Sequence, residues 1–152
     1  MRISKDELAA QQLGEYEGRM TDFGDWRVAF ERMPAHFPPD ESPFKGLPDD
    51  RCQCLHLGVV TKGSFEVTYL DGSRELVRAG EAYSLAPGHF VQTLEPTEVV
   101  EFSPRAEHDR TMETVARNLA GGVGLSSSPA AGARSAARSL DELPAWTAAM
   151  DV

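Results

Sequence analysis

At 152 residues, with 41% hydrophobic and 26% charged side chains, the chain has the length and composition of one soluble globular domain able to bury a core. Its 24 acidic against 15 basic residues give a formal net charge of −9, which repels phosphate backbones and anionic lipid, so neither nucleic acid nor membrane is an expected partner. No segment approaches the roughly 18 apolar residues that span a bilayer, and MRISKDELAAQQLGEYEG has no signal-peptide core, so a cytoplasmic protein is expected, in which two cysteines serve thiol or metal chemistry rather than a disulfide.

Residues 1–15 form a polar N-terminal arm, at best weakly helical. Tyr16 to Phe23 and Trp26 to Met33 read as two strands about Gly24-Asp25, a pair suited to a tight hairpin. Prolines 34, 38, 39, 43 and 48 in the connection that follows exclude regular helix or central strand. From Cys52 to Pro104 the pattern is dense in short strands. CQCLHLGVVT, SFEVTYL, SRELVRA, EAYSLAPGHFVQTL and TEVVEFS are separated by Lys62-Gly63, Asp71-Gly72, Gly80 and Glu95-Pro96. Phe65, Val67 and Tyr69 share one face of their strand, and Phe65, Tyr69 and Phe90 are expected in the core. Strands at this spacing predict an all-β sandwich or barrel, spanning about residues 16–103 and closed or nearly closed.

Ser103 and Pro104 have the chemistry of an N-cap and a first helical position. Met112, Val115, Ala116 and Leu119 then form an apolar stripe expected to pack on the barrel, with Gly121 as a stop. The barrel and its helix thus occupy 16–120. Residues 121–138 read as a flexible Gly/Ala/Ser linker and 139–152 as a C-terminal tail whose Leu143, Trp146 and Met150 suit a short amphipathic helix.

Cys52, Cys54 and His56 occupy alternate positions, which on a strand point to one face. A straight strand would separate the first and third Cα atoms by roughly 13 Å, whereas Zn–S and Zn–N bonds are only about 2.0–2.3 Å. The three therefore converge only if the chain bends. A Cys52–Cys54 disulfide is disfavoured, because alternate strand positions set the Cβ atoms too far apart. His36 and His108 are expected to be solvated.

The stretch from Gly46 to Phe102 resembles a cupin domain, whose two motifs carry a His-x-His pair with a Glu and a further His. Gly46 is followed by LPDDR and then Cys52-Gln53-Cys54, so cysteines stand where the family has its paired histidines. Counting back from Gly63 instead puts His56 at the family's Glu position. In the second motif Gly80 and Gly88 match and Pro87 sits one place late. Val91 holds the usual His position, and His89 shares its strand parity as a replacement. The resemblance implies an all-β, cupin-type double-stranded β-helix (jelly-roll) barrel with a C-terminal helix. Its implied metal site is Cys52, Cys54, His56 and His89. Two thiolates and two imidazoles favour zinc. The sequence reading is thus a zinc-binding cupin with a small molecule in the barrel pocket and no assigned catalytic residue. Its rivals are a metal-dependent enzyme (dioxygenase, isomerase or lyase) and a metal-free small-molecule binding module. Strands Tyr16 to Met33 are expected to be free to pair in a homodimer.

Overall fold

The structure, a computed structural model, describes residues 2–121. Apart from Gly121, the expected 121–138 linker and 139–152 tail lie outside the described residues. Nine strands and one α-helix follow in order among the described residues. They are β1 (Gln11–Leu13), β2 (Tyr16–Phe23), β3 (Trp26–Met33), β4 (His56–Lys62), β5 (Ser64–Thr68), β6 (Arg74–Arg78), β7 (Ala82–Leu85), β8 (Phe90–Thr93), β9 (Thr97–Pro104) and α1 (Arg105–Gly121). The β2–β3 hairpin turns at Gly24-Asp25, with Gly24 at φ +63°, a conformation that costs glycine little.

All ladders are antiparallel and form a jelly-roll of two sheets. One has the order β1-β2-β3-β9-β4-β7 and the other β6-β5-β8. Val60, Phe65, Val67, Val77, Leu85 and Val99, drawn from both sheets, make the core between them. Each such side chain contributes about 1.5–3 kcal/mol by leaving water. Phe65 and Phe90 are buried as expected. The sheets are not closed into a barrel. Between the strand systems run the isolated Cys52↔His89 bridge and backbone hydrogen bonds such as His36 N–H to Thr93 O (2.8 Å) and Gly80 N–H to Val60 O (2.8 Å).

Three local expectations differ from the fold. The regular strand begins at His56, not Cys52. The Leu55 N–H is taken by Glu107 Oε2 of α1 at 3.2 Å, and Cys52 pairs only at the single bridge to His89. With its donors diverted, the chain bends between Cys52 and His56. Ser103 and Pro104 belong to β9 rather than capping the helix, because the Ser103 hydroxyl is used inside the fold (below). Strand β3 is not a free edge, being paired from Trp26↔Pro104 to Met33↔Thr97, whereas β1 covers only Tyr16, Glu17 and Gly18 of β2 and leaves Arg19 to Phe23 along the sheet edge among the described residues.

Helix α1 sits across one end of the jelly-roll, where Asn118 Nδ2 donates to the carbonyls of Pro43 (2.9 Å) and Lys45 (2.8 Å). Met112, Val115 and Leu119 of the predicted stripe line a cavity between the helix, the proline-rich connection and the sheets.

Candidate metal centre

The bend before β4 turns Cys52 and His56, four residues apart, toward one another, leaving Cys52 Sγ 3.3 Å from His56 Nε2. The bridge between Cys52 and His89, with Cys52 N–H donating to His89 O at 3.0 Å, brings in the second imidazole. The ligand atoms of Cys52, His56 and His89 all lie within 4.8 Å of one another. They line a cavity of about 230 Å³.

Both imidazoles are oriented by their other nitrogen. His89 Nδ1 donates to the Ala86 carbonyl at 2.6 Å. His56 Nδ1 lies 2.5 Å from Glu101 Oε1 and 2.9 Å from Ser103 Oγ. A carbonyl and an ionised carboxylate only accept, so each Nδ1 carries a proton and Nε2 is the nitrogen left to face an ion, which on His56 requires loss of its second proton. Burial opposes charge on Cys52, but hydrogen bonds and charge from His56 and His89 more than offset it and bring the thiol down to about 6. Burial likewise opposes protonation of His56, yet Glu101 and Cys52 hold it well above the ordinary imidazole range. Thiolate, oriented imidazoles and a carboxylate behind one of them are the donor set of a transition-metal site.

Two glycines make room for two buried carboxylates, Glu101 behind His56 and Glu31 further along the cavity. Gly58 on β4 faces Glu101 on β9 in register, and Gly18 on β2 faces Glu31 on β3. A Cβ at Gly58 would fall on the Tyr83 ring, and one at Gly18 would lie 2.5 Å from the Tyr16 hydroxyl. Each tyrosine therefore crosses its glycine to reach the facing carboxylate. Tyr83 donates to Glu101 Oε2 at 3.0 Å and Tyr16 to Glu31 Oε1 at 2.8 Å. Burial disfavours charge on both carboxylates, but His56 and Tyr83 hold Glu101 below the usual range. Glu31 lacks a cationic contact, and burial with the neighbouring Glu101 pushes it up to about 7.

Three of the four ligands expected from the sequence are thus brought together. Cys54 lines the same cavity but lies outside the group of three. It is fully buried, its Sγ donates to the Leu55 carbonyl at 3.4 Å, and burial pushes its thiol up to about 11. His36 is exposed, as expected. His108 is not solvated: it is 7% exposed and lines the cavity. Arg27 donates to its Nδ1 at 3.0 Å, and burial, then Arg27, lowers its pKa to about 4, so it is neutral. Its signal was present in the helical spacing, since His108 precedes Met112 by four residues and so shares the apolar face. Glu31, Glu101, Tyr16 and Tyr83 were not anticipated. Strand parity groups Glu101 with Val99, but Val100 and Phe102 are equally apolar, so alternation alone does not say which set faces inward.

No protein-family model matches the chain, and no curated protein matches it by sequence. The fold is that of the cupins. Among solved structures, the ectoine synthase of P. lautus is 12% identical, with a TM-score of 0.51 over 72% of this chain and 85% of that one. An RmlC-like cupin from Shewanella frigidimarina is 13% identical, with a TM-score of 0.49 over 67% of this chain and 88% of that one. KdgF from Halomonas sp. is 18% identical, with a TM-score of 0.47 over 67% and 91%. Identities this low speak to the fold alone. No described helix is long and apolar enough to cross a membrane.

Proposed function

We propose that the protein binds zinc through Cys52 Sγ, His56 Nε2 and His89 Nε2, and that a small molecule enters the adjoining cavity to reach the ion. The observation that carries this reading is geometric. Both Nδ1 atoms are committed to acceptors, which leaves the two Nε2 atoms and the Cys52 sulfur within 4.8 Å of one another, with His56 Nε2 free to ligate once its proton is displaced. One soft sulfur with two imidazoles suits zinc in a tetrahedron whose fourth place is open.

Purified protein is expected to hold about one zinc per chain, and the loaded form should melt above the metal-free form because the ion binds only the folded state. Elemental analysis showing no enrichment of any transition metal, even after incubation with zinc, would reject the site. Protons compete for the same atoms. Binding at about pH 7.5 should release about one proton per ion, from His56, because Cys52 is already ionised. Below about pH 6 the thiolate also takes up a proton, so affinity falls more steeply with acid. Calorimetry in buffers of different ionisation enthalpy measures both.

A reading as a metal-dependent enzyme (dioxygenase, isomerase or lyase) is favoured over a structural site by the ligand count. Three protein ligands leave room for water or substrate, and zinc lowers the pKa of a bound water toward about 7. A cytoplasmic setting accords with a site that needs a reduced thiol, and both cysteines are free.

The chain is also expected to form a homodimer. Its support is the outer face of the larger sheet, where Leu57, Val59 and Phe102 are 36%, 41% and 40% exposed and Leu57 is in register with Phe102. Light scattering that gives a monomer at high concentration would reject this.

A further inference from the structure

The cavity has a second polar feature that metal binding does not use. Gln11, Gly18 and Glu31 lie in one row across β1, β2 and β3. Glu31 uses only Oε1, for the Tyr16 hydroxyl, and Oε2 receives no hydrogen bond among the described residues. Gln11 Oε1 is buried without a partner. Both residues line the cavity, so its unsatisfied atoms at this end are acceptors.

Charge points the same way. No Lys or Arg lines the cavity among the described residues, His108 is neutral, and the charge of protonated His56 is already matched by Glu101 and Cys52 beside it. The two charges of a bound zinc ion are matched by the Cys52 thiolate and the Glu101 carboxylate, leaving Glu31 as the surplus negative group. An anionic ligand would add to that surplus inside a low-dielectric enclosure, whereas a cation would remove it. The rest of the wall is apolar, including Phe37, Phe44, Leu85, Val91, Met112 and Val115.

We propose that the cavity selects a small organic amine, a cationic nitrogen on an apolar body, whose ammonium group is held by Glu31 with Gln11 beside it. A volume of about 230 Å³ limits the molecule to roughly ten non-hydrogen atoms. An N–H donor at Glu31 Oε2 supplies the missing partner, and a second N–H can reach Gln11. The inference deepens the reading of the metal cavity but does not require the ion. A carboxyl that burial and Glu101 push up to about 7 is in the state that a cationic partner would relieve.

The test is calorimetric titration of hexylamine, 1-hexanol and hexanoate into both metal-free and zinc-loaded protein. In the metal-free protein the amine should bind about tenfold or more tighter than the alcohol, as a charge-assisted hydrogen bond predicts, and the carboxylate weakest. Glu31→Gln should erase the amine preference in both forms while leaving the alcohol's affinity and the zinc content unchanged. Should that variant fail to fold, the ligand series on the native chain together with Gln11→Leu, which should weaken the amine alone, decides the matter. Hexanoate binding metal-free protein as tightly as the amine, no measurable amine binding, or an amine preference that survives Glu31→Gln overturns the proposal. A chain that takes up no zinc yet prefers the amine through Glu31 would sink the metal reading and keep this one. Full zinc occupancy without amine preference would do the reverse.

Discussion

Cys52→Ser is expected to weaken zinc binding by more than about a hundredfold, since partners of ligands alone cost 10–100-fold when removed and here a ligand itself goes. A neutral hydroxyl replaces an anionic sulfur that His56 and His89 hold ionised at neutral pH. Cys54→Ser should stay within a few-fold of the native affinity, because that thiol is protonated, donates to the Leu55 carbonyl and lies outside the group of three. His36→Ala should have no effect. Competition titration with a chromophoric zinc chelator measures all three variants. If Cys54→Ser lost as much affinity as Cys52→Ser, the four-ligand site implied by the sequence resemblance would be restored and the open coordination position would disappear.

Gly58→Ala is expected to destabilise the fold by about 2–3 kcal/mol, at the upper end of overpacking costs. That corresponds to a fall in Tm of roughly 8 °C. The new Cβ would meet the Tyr83 ring and lie 2.7 Å from the Val100 carbonyl oxygen. Val100 belongs to β9, which is paired with β3 on one side and β4 on the other, so its backbone has little freedom to retreat. Gly18→Ala meets only the ends of side chains, Tyr16 Oη at 2.5 Å and Met20 Cε at 3.2 Å, and should cost less than half as much. Displacing Tyr83 also takes a donor from Glu101 and loosens the partner of His56, so zinc affinity should fall by about tenfold in Gly58→Ala. Thermal melts of the two variants make the comparison. Equal melting temperatures for Gly58→Ala and the native chain would mean that the Tyr83 ring is not seated on Gly58.

What the sequence by itself determined is local. Alternation and the Gly24-Asp25 pair set β2 and β3 to the residue, because side-chain parity and turn chemistry act over a few neighbouring positions. Helical spacing likewise marks the face of Met112, Val115 and Leu119, and the cupin resemblance marks Cys52, Cys54, His56 and His89 as candidate ligands. Strand geometry adds that alternate residues on a straight strand do not converge on one ion. Where the bend lies was decided by the tertiary structure, through Glu107 of α1 taking the Leu55 N–H and the bridge from Cys52 to His89. That bend joins Cys52 to His56 and leaves Cys54 aside. The carboxylates were likewise beyond local reasoning. Glu31 and Glu101 are flanked by apolar residues of both parities; the β2–β3 hairpin sets Glu31 opposite Gly18, the distant β4–β9 register sets Glu101 opposite Gly58, and only the packing of the sheets puts both carboxylates in the cavity. Registers between strands distant in the chain are fixed by the packing of the whole core. For that reason the candidate ligands were legible in the sequence, and the groups that orient and charge them were not.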